Sequence, residues 1–464
     1  MPIPILEQTI SKGISSIPYA YPILKSIGYL TGTWALKRYF GGAVNPSERV
    51  MHSKVVMVTG GTSGIGAAVV QDLAARGAQI ILLTQHSPSD PFLVDFIEDL
   101  RSSTGNQLIY AEQVDLSSFY SIRLFATKWI DNTPARRLDM VILCANTQNP
   151  YFTSSTTRKT QDGLQNEWQI NYLSNYHLLS ILSPALRAQP PDRDVRVIFT
   201  TCSSYIGAEK LDFKHLEATT TITQSQPDSS TRDEKPSKNL GKKQPPPDLL
   251  IKTTSYASSK LALLVFARSF QQHLTHTPRT DKQNNPLPPP SVRVMVVDPG
   301  FSRTPGTRNW LTAGSLWGLI IYILTWPIWW LVLKSPQQGA QSILMAAMEA
   351  RFSNVGHTLD PDTAKNSAQR ANLQNPLQPG QVIGIEGGAI LKECKERPVL
   401  RPEIMDDVVA KKLWEFSQSQ IERKEKEAAI IRAMEKKAKE ELKKENQEKS
   451  GITGWKTQPA EKRK

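Results

Sequence analysis

The sequence predicts an α/β fold, a doubly wound parallel sheet with helices on both faces, and three observations carry that expectation. Short apolar, β-branched runs alternate with helical patterns along some 300 residues. The first run leads directly into a glycine-rich turn and then a helix. Late in the chain, Tyr256 stands four residues before Lys260 in a helical stretch.

Residues 55–58 (VVMV) read as a buried parallel strand. Thr59-Gly60-Gly61-Thr62-Ser63-Gly64-Ile65-Gly66 follows, and then a helix over 67–76. Strand, glycine turn and helix in that order suit a Rossmann-type dinucleotide site. Gly60 permits the tight turn, Gly64 lets the backbone approach a pyrophosphate, and Gly66 permits close helix packing. The helix N-terminus adds free N–H groups and partial positive charge. The plainer reading is an ordinary strand-to-helix turn.

The second strand is expected at 79–83, followed by Thr84-Gln85-His86. An NAD site commonly places a carboxylate here for the ribose 2′-OH. None is present, so the expectation leans to NADP; no arginine stands ready to clamp a 2′-phosphate, so NAD stays open. Further strands are expected at 107–110, 138–143, Val195–Thr200 and 292–297.

Composition narrows the partners. The 464 residues hold 39% hydrophobic side chains, enough for a real core, and 32 prolines that point to irregular insertions. Cys144, Cys202 and Cys394 form no CxxC pair, which disfavours a disulfide scaffold or zinc site and favours a reducing compartment. The net charge of +13 brings no nucleic-acid-binding motif with it; the plain reading is a solvated surface with a basic tail, and the sharper one is attraction to an anionic membrane face.

Tyr256 and Lys260 lie one turn apart on one helix face. An ammonium beside a phenol favours the phenolate, so Tyr256 is expected to have its pKa lowered toward the working pH. It would then serve as acid in carbonyl reduction and base in alcohol oxidation.

Taken together, these residues resemble the short-chain dehydrogenase/reductase family. The match consists of TGGTSGIG at 59–66, Asp115-Leu116, Asn171, Ser203-Ser204, Tyr256 with Lys260, and Asp298-Pro299-Gly300 followed by Thr304. Residues 259–266, 388–394 and 411–417 are similar to the retinol-dehydrogenase-like branch and its fungal relatives on internal membranes. The resemblance implies that Tyr256 exchanges the proton and that Lys260 assists it and holds the nicotinamide ribose. Ser204, three residues before Gly207, would bond the substrate oxygen. Asn171 would brace a water chain to the lysine, Asp115 would bond the adenine, and Thr304 the carboxamide. The rest of the cofactor surface would comprise Thr59, Gly60, Ser63, Gly64, Ile65, Gly66, Gln85, Pro299 and Gly300. A homodimer paired through helices is implied by the same analogy. One departure stands out: Leu143-Cys144-Ala145-Asn146 replaces the family's Asn-Asn-Ala-Gly. Asn146 is expected to tolerate the unusual backbone angle of the missing glycine, and Cys144 to be a small buried apolar residue.

Residues 219–247 and 276–291 are polar or proline-rich and read as disordered insertions. The segment 315–333 (SLWGLIIYILTWPIWWLVL) is uncharged, and as a helix its 19 residues would span roughly 28 Å. Both its flanks belong to one sheet domain, so a re-entrant or interfacial segment broken at Pro327 fits better than a crossing. A pocket lid is the other reading. Residues 17–40 are apolar and aromatic between Lys25 and Lys37-Arg38, as in an interfacial anchor. Residues 406–449 read as a long charged helix with Glu-to-Lys pairs four apart.

The expected organisation is therefore a membrane-associating segment at 1–50, an oxidoreductase domain at 51–420 and a charged tail at 421–464. The chain is expected to interconvert a lipophilic alcohol and its carbonyl on the cytosolic face of the endoplasmic reticulum or a lipid droplet. The competing reading is a catalytically silent dinucleotide-binding scaffold.

Overall fold

A computed structural model of the chain describes residues 20–134, 136–148, 159–190, 193–213, 247–277, 279–280, 286–287, 291–350 and 390–453. The insertion expected at 219–247 lies outside them except for residue 247. Of the one at 276–291, a two-residue pairing is described, β6 (Arg279–Thr280) with β7 (Pro286–Leu287).

Eight strands form the main sheet: β1 (Val55–Thr59), β2 (Gln79–Thr84), β3 (Ile109–Gln113), β4 (Met140–Leu143), β5 (Val195–Thr200), β8 (Val292–Asp298), β9 (Ile390–Lys392) and β10 (Lys395–Arg397). Their order is β10-β9-β8-β5-β4-β1-β2-β3, parallel throughout except for β10. The doubly wound expectation holds. β1, β4, β5 and β8 are buried along their whole length, which is why they read as continuous apolar runs.

β3 begins two residues later than expected because Asn106 takes the preceding residues into a turn. Its Oδ1 accepts from Leu108 N at 2.9 Å, and its Nδ2 donates to the carbonyls of Ala74 and Ala78. β9 and β10 were not expected. Three-residue strands are too short to show a period.

Helices cover both faces. α1 (Ala20–Gly41) precedes the sheet; α2 (Gly64–Ala75), α3 (Pro91–Thr104), α4 (Phe119–Ile130), α5 (Ser174–Arg187) and α6 (Pro247–His276) connect its strands. A π-helical turn, Gln169–Leu173, leads into α5. After β8 come α7 (Pro305–Leu311), α8 (Leu316–Leu324), α9 (Trp326–Val332) and α10 (Pro336–Met348), the last opened by a Ser335/Gln338 capping box.

The 315–333 segment is thus two short helices with no buried residue in either. The break falls at Thr325, not at Pro327. Pro327 sits in the first turn of α9, where its missing N–H costs nothing. α1 packs against α9, where Lys37 Nζ donates to the carbonyl of Leu333 at 3.0 Å and lies 5.2 Å from the Trp330 ring centroid. No helix among the described residues is long and apolar enough to cross a membrane.

α11 (Asp407–Thr453) runs without a break through residue 420. Its first half packs on α5 and α6: Tyr172 Oη lies 2.6 Å from Ser417 Oγ, and Trp414 stacks edge-on against Tyr176. Farther along, Arg432 caps the Tyr120 ring at 3.7 Å.

Candidate active site

A cleft of about 1080 Å³ opens at the carboxyl ends of the strands, where open α/β sheets bind ligands. Its floor is the turn after β1. A Cβ on Gly66 would lie 2.1 Å from the Gly60 carbonyl oxygen, and one on Gly60 would lie 2.7 Å from the Ala145 Cα. Gly64 has φ +57° and faces the Thr304 methyl. Only glycines let this turn pack so tightly, and the N-terminus of α2 then faces the cleft.

Of the residues expected to hold a cofactor, Gly60, Ser63, Gly64, Ile65, Gly66, Gln85, Asp115, Pro299, Gly300 and Thr304 all line the cleft, as do Tyr256 and Lys260. Thr59 does not. It is buried beneath the turn, where its Oγ1 accepts from Ala145 N at 3.3 Å. The fit to a dinucleotide is good on two counts. The glycine turn leaves the backbone bare, and the buried hydroxyls of Thr201 and Ser302 in the cleft wall have no partner. At the end of β2, Gln85 and His86 line the cleft, and the only carboxylates on its whole wall, among the described residues, are Asp115 and Asp298.

Tyr256 and Lys260 meet as expected: Lys260 Nζ lies 5.7 Å from the Tyr256 ring centroid and 3.4 Å from the carbonyl oxygen of Thr200. The expected lowering of the phenol is not what the structure shows. Burial, and next the neighbouring Cys202, push Tyr256 well above its ordinary range, while burial lowers Lys260. An ammonium over the ring, rather than beside the oxygen, does not offset that desolvation.

Asn171 lies behind the cleft wall. Its Oδ1 accepts from Thr147 N at 2.8 Å, and its Nδ2 donates to the Thr147 carbonyl at 2.9 Å, so it ties down the loop after β4. It sits in the π-helical turn, a feature common at functional sites.

Ser204 Oγ reaches Tyr256 only through Cys202: it lies 2.9 Å from Cys202 Sγ, which is 3.4 Å from Tyr256 Oη. Ser203 turns away to Asp298 and Lys392.

Cys202, Asn146 and Lys392 were missed by sequence reasoning. Asn146 replaces the family's glycine, yet it takes no positive φ, contrary to expectation. Its Nδ2 instead donates to Tyr256 Oη at 3.3 Å. Cys144 lies in the cleft wall, where burial pushes its thiol up to about 12, so it stays neutral.

The sequence model of the short chain dehydrogenase family matches residues 54–210. An uncharacterized oxidoreductase of Schizosaccharomyces pombe, pbr1, is 36% identical and aligns over 92% of this chain and 97% of its own. A second, YNL181W of Saccharomyces cerevisiae, is 32% identical over 97% of this chain and 99% of its own. Human retinol dehydrogenase 13 is 26% identical over 82% of this chain and 98% of its own. With the glycine turn, the Tyr256–Lys260 pair and full-length relatives in agreement, the chain belongs to the short-chain dehydrogenase/reductase family, in its retinol-dehydrogenase-like branch, as an NAD(P)-dependent enzyme acting on CH–OH groups.

Proposed function

We propose that the enzyme interconverts a hydrophobic alcohol and its aldehyde or ketone at a membrane surface, with NADP preferred over NAD. The observation that carries this reading is the continuity between cleft and exposed apolar surface. Phe301 and Trp310 stack at 6.1 Å in the cleft wall. The chain then passes into α8 and α9, where Leu316, Trp317 and Leu324 are about three-quarters or more exposed. Tyr29, Leu30 and Trp34 of α1, which packs beside α9, are also exposed. An apolar face of this kind marks a membrane or ligand contact. A substrate soluble in lipid could pass from that face to the cleft. The name of the retinol dehydrogenase relatives points to the same kind of alcohol.

Within the cleft, the backbone of residues 60–66 and the α2 N-terminus would hold the pyrophosphate, Asp115 the adenine, Lys260 the nicotinamide ribose and Thr304 the carboxamide. NADP preference is supported by Gln85 and His86 standing where a repelling carboxylate would favour NAD. Bound there, the nicotinamide supplies or accepts the hydride. Tyr256 gives its phenolic proton to the substrate oxygen in reduction and takes it back in oxidation. Lys260 assists that transfer, Asn171 fixes the neighbouring loop, and Ser204 orders the hydrogen-bond chain at the phenol.

The site would face the cytosol from the endoplasmic reticulum or a lipid droplet; the free state of Cys144, Cys202 and Cys394 suits that side. The assembled Tyr256–Lys260 pair favours an enzyme over a silent scaffold.

Turnover of NADPH and NADH against lipophilic aldehydes and ketones tests the reading. Tyr256→Phe should lower kcat by about 10²–10⁴ with NADPH binding retained. Equal turnover in that variant would overturn the proton-transfer role. In a flotation assay with anionic vesicles, Trp317→Ser/Leu324→Ser should bind several-fold less protein than wild type; unchanged flotation would remove the membrane from the proposal.

A further inference from the structure

Cys202, not a serine, touches the reacting phenol. β5 ends at Thr200, and Cys202 is held extended (φ −149°, ψ 162°) as the residue entering the 3-10 turn Ser203–Gly207. That turn disperses the three candidate side chains. Ser203 Oγ donates to Asp298 at 2.6 Å and accepts from Lys392 Nζ at 2.7 Å, so it is spent on the β8–β9 side. Ser204 Oγ turns back onto Cys202 Sγ at 2.9 Å. Cys202 Sγ alone of the three lies against Tyr256 Oη, at 3.4 Å.

We propose that Cys202 is the catalytic partner of Tyr256 at the substrate oxygen, and that Ser204 is a positioning residue that sets the thiol's direction. This rests on the reading that Tyr256 transfers the proton. In reduction, the proton leaves Tyr256 Oη for the substrate oxygen, while the Cys202 S–H stays intact as the second donor to that oxygen. A thiol is a weaker donor than a hydroxyl, so this second contact stabilises the developing alkoxide less than a serine would. Unlike a serine hydroxyl, a thiol also has a charged form. Its thiolate, 3.4 Å from the phenol, opposes phenolate formation. The other charged or titratable groups around this point are Lys260 on α6, Asp298 at the end of β8, Cys144 after β4, Lys392 on β9 and Glu167 ahead of α5.

The first test needs no turnover. Iodoacetamide alkylation of Cys202 in the full chain is followed against pH, with the adduct located by mass spectrometry. Wild type is compared with Tyr256→Phe and Ser204→Ala. Each hydroxyl donates to the thiolate, so removing either should raise the alkylation midpoint by about one pH unit, the size of one hydrogen bond. The kinetic arm compares Cys202→Ala, Cys202→Ser and Ser204→Ala. Cys202→Ala should lower kcat by about tenfold or more, and Cys202→Ser should recover it and move the rising limb of alcohol oxidation to lower pH. Ser204→Ala should cost less than Cys202→Ala. The proposal is overturned if neither hydroxyl variant moves the midpoint, or if Ser204→Ala costs more than Cys202→Ala. Failure of the underlying reading shows differently: Tyr256→Phe would then keep its turnover while the midpoints still moved.

Discussion

The two ends of the parallel sheet handle polar groups in opposite ways. At the amino ends of the strands the buried carboxylates Asp139 and Asp194 are both matched by arginines. Asp139, fully buried ahead of β4, accepts from Val55 N at 2.9 Å and from both Nε and Nη2 of Arg137. Asp194 ahead of β5 binds Arg49 and the fully buried Arg196, each at 2.7 Å, and Arg196 also donates to the Ala346 carbonyl. At the carboxyl ends, by contrast, buried donors are left under-bonded. Lys260 has one long bond, and Thr201 and Ser302 have none. One end is closed and holds the sheet together; the other is left for ligands to complete. The comparison implies that mutations at the two ends should separate stability from binding.

The largest effect should come from Asp194→Asn, which strands a guanidinium in the core. Loss of one partner of such a pair costs about 3–5 kcal/mol. Against the cost of burial, Arg196 and Arg49 hold the Asp194 carboxyl down at about 2. Because its folded pKa is depressed, its contribution is present above the unfolded value near 4 and is lost as pH falls toward 2. Urea denaturation between pH 7 and pH 3 should show a less stable variant that lacks this acid limb. NADPH affinity of the folded variant should be unchanged. Selective loss of affinity at normal stability would break the comparison.

The two ends also differed in how far they could be read from sequence. The turn at 59–66 was legible because its demand is on the backbone: only glycine tolerates a carbonyl 2.1 Å from a would-be Cβ. The amino-end network was not legible, since Arg49 and Asp194 lie 145 residues apart and nothing local pairs them. The proton-transfer end falls between. Tyr256 and Lys260 share a helix, so their spacing carried the geometry. Counting back from Gly207 picks Ser204 for the substrate oxygen, but no spacing shows that the extended Cys202 places its Sγ against the phenol. Asn146 occupies a glycine's place in the sequence pattern without a positive φ, and it is its side chain that meets the phenol.

Gly66→Ala should sharpen the contrast from the binding side. A methyl there would drive the turn away from the Gly60 carbonyl and carry the α2 N-terminus with it. NADPH affinity should fall by about 100-fold, equivalent to ~2.7 kcal/mol, while the stability loss stays below that of Asp194→Asn. Fluorescence titration beside thermal unfolding separates the two. A variant that binds normally would show that the cofactor does not rest on this turn.

The smallest effect should come from Asn146→Ala, and its value lies in its sign. Asn146 Nδ2 donates to Tyr256 Oη and favours the phenolate, whereas burial and Cys202 oppose it. Removing that donor should raise the phenol further. Oxidation needs the deprotonated tyrosine, so the limb on which its rate rises with pH should move to higher pH, with a loss of about threefold near pH 8. Reduction consumes the phenolic proton and should keep its rate to higher pH than in wild type. Cys202→Ser is expected to move the same limb the other way, so the pair of profiles brackets the phenol between a donor that favours its charge and a thiol that resists it. A limb that stays fixed in both variants would mean that the pH dependence belongs to another group, with Lys260, buried and lowered by that burial, the first to examine.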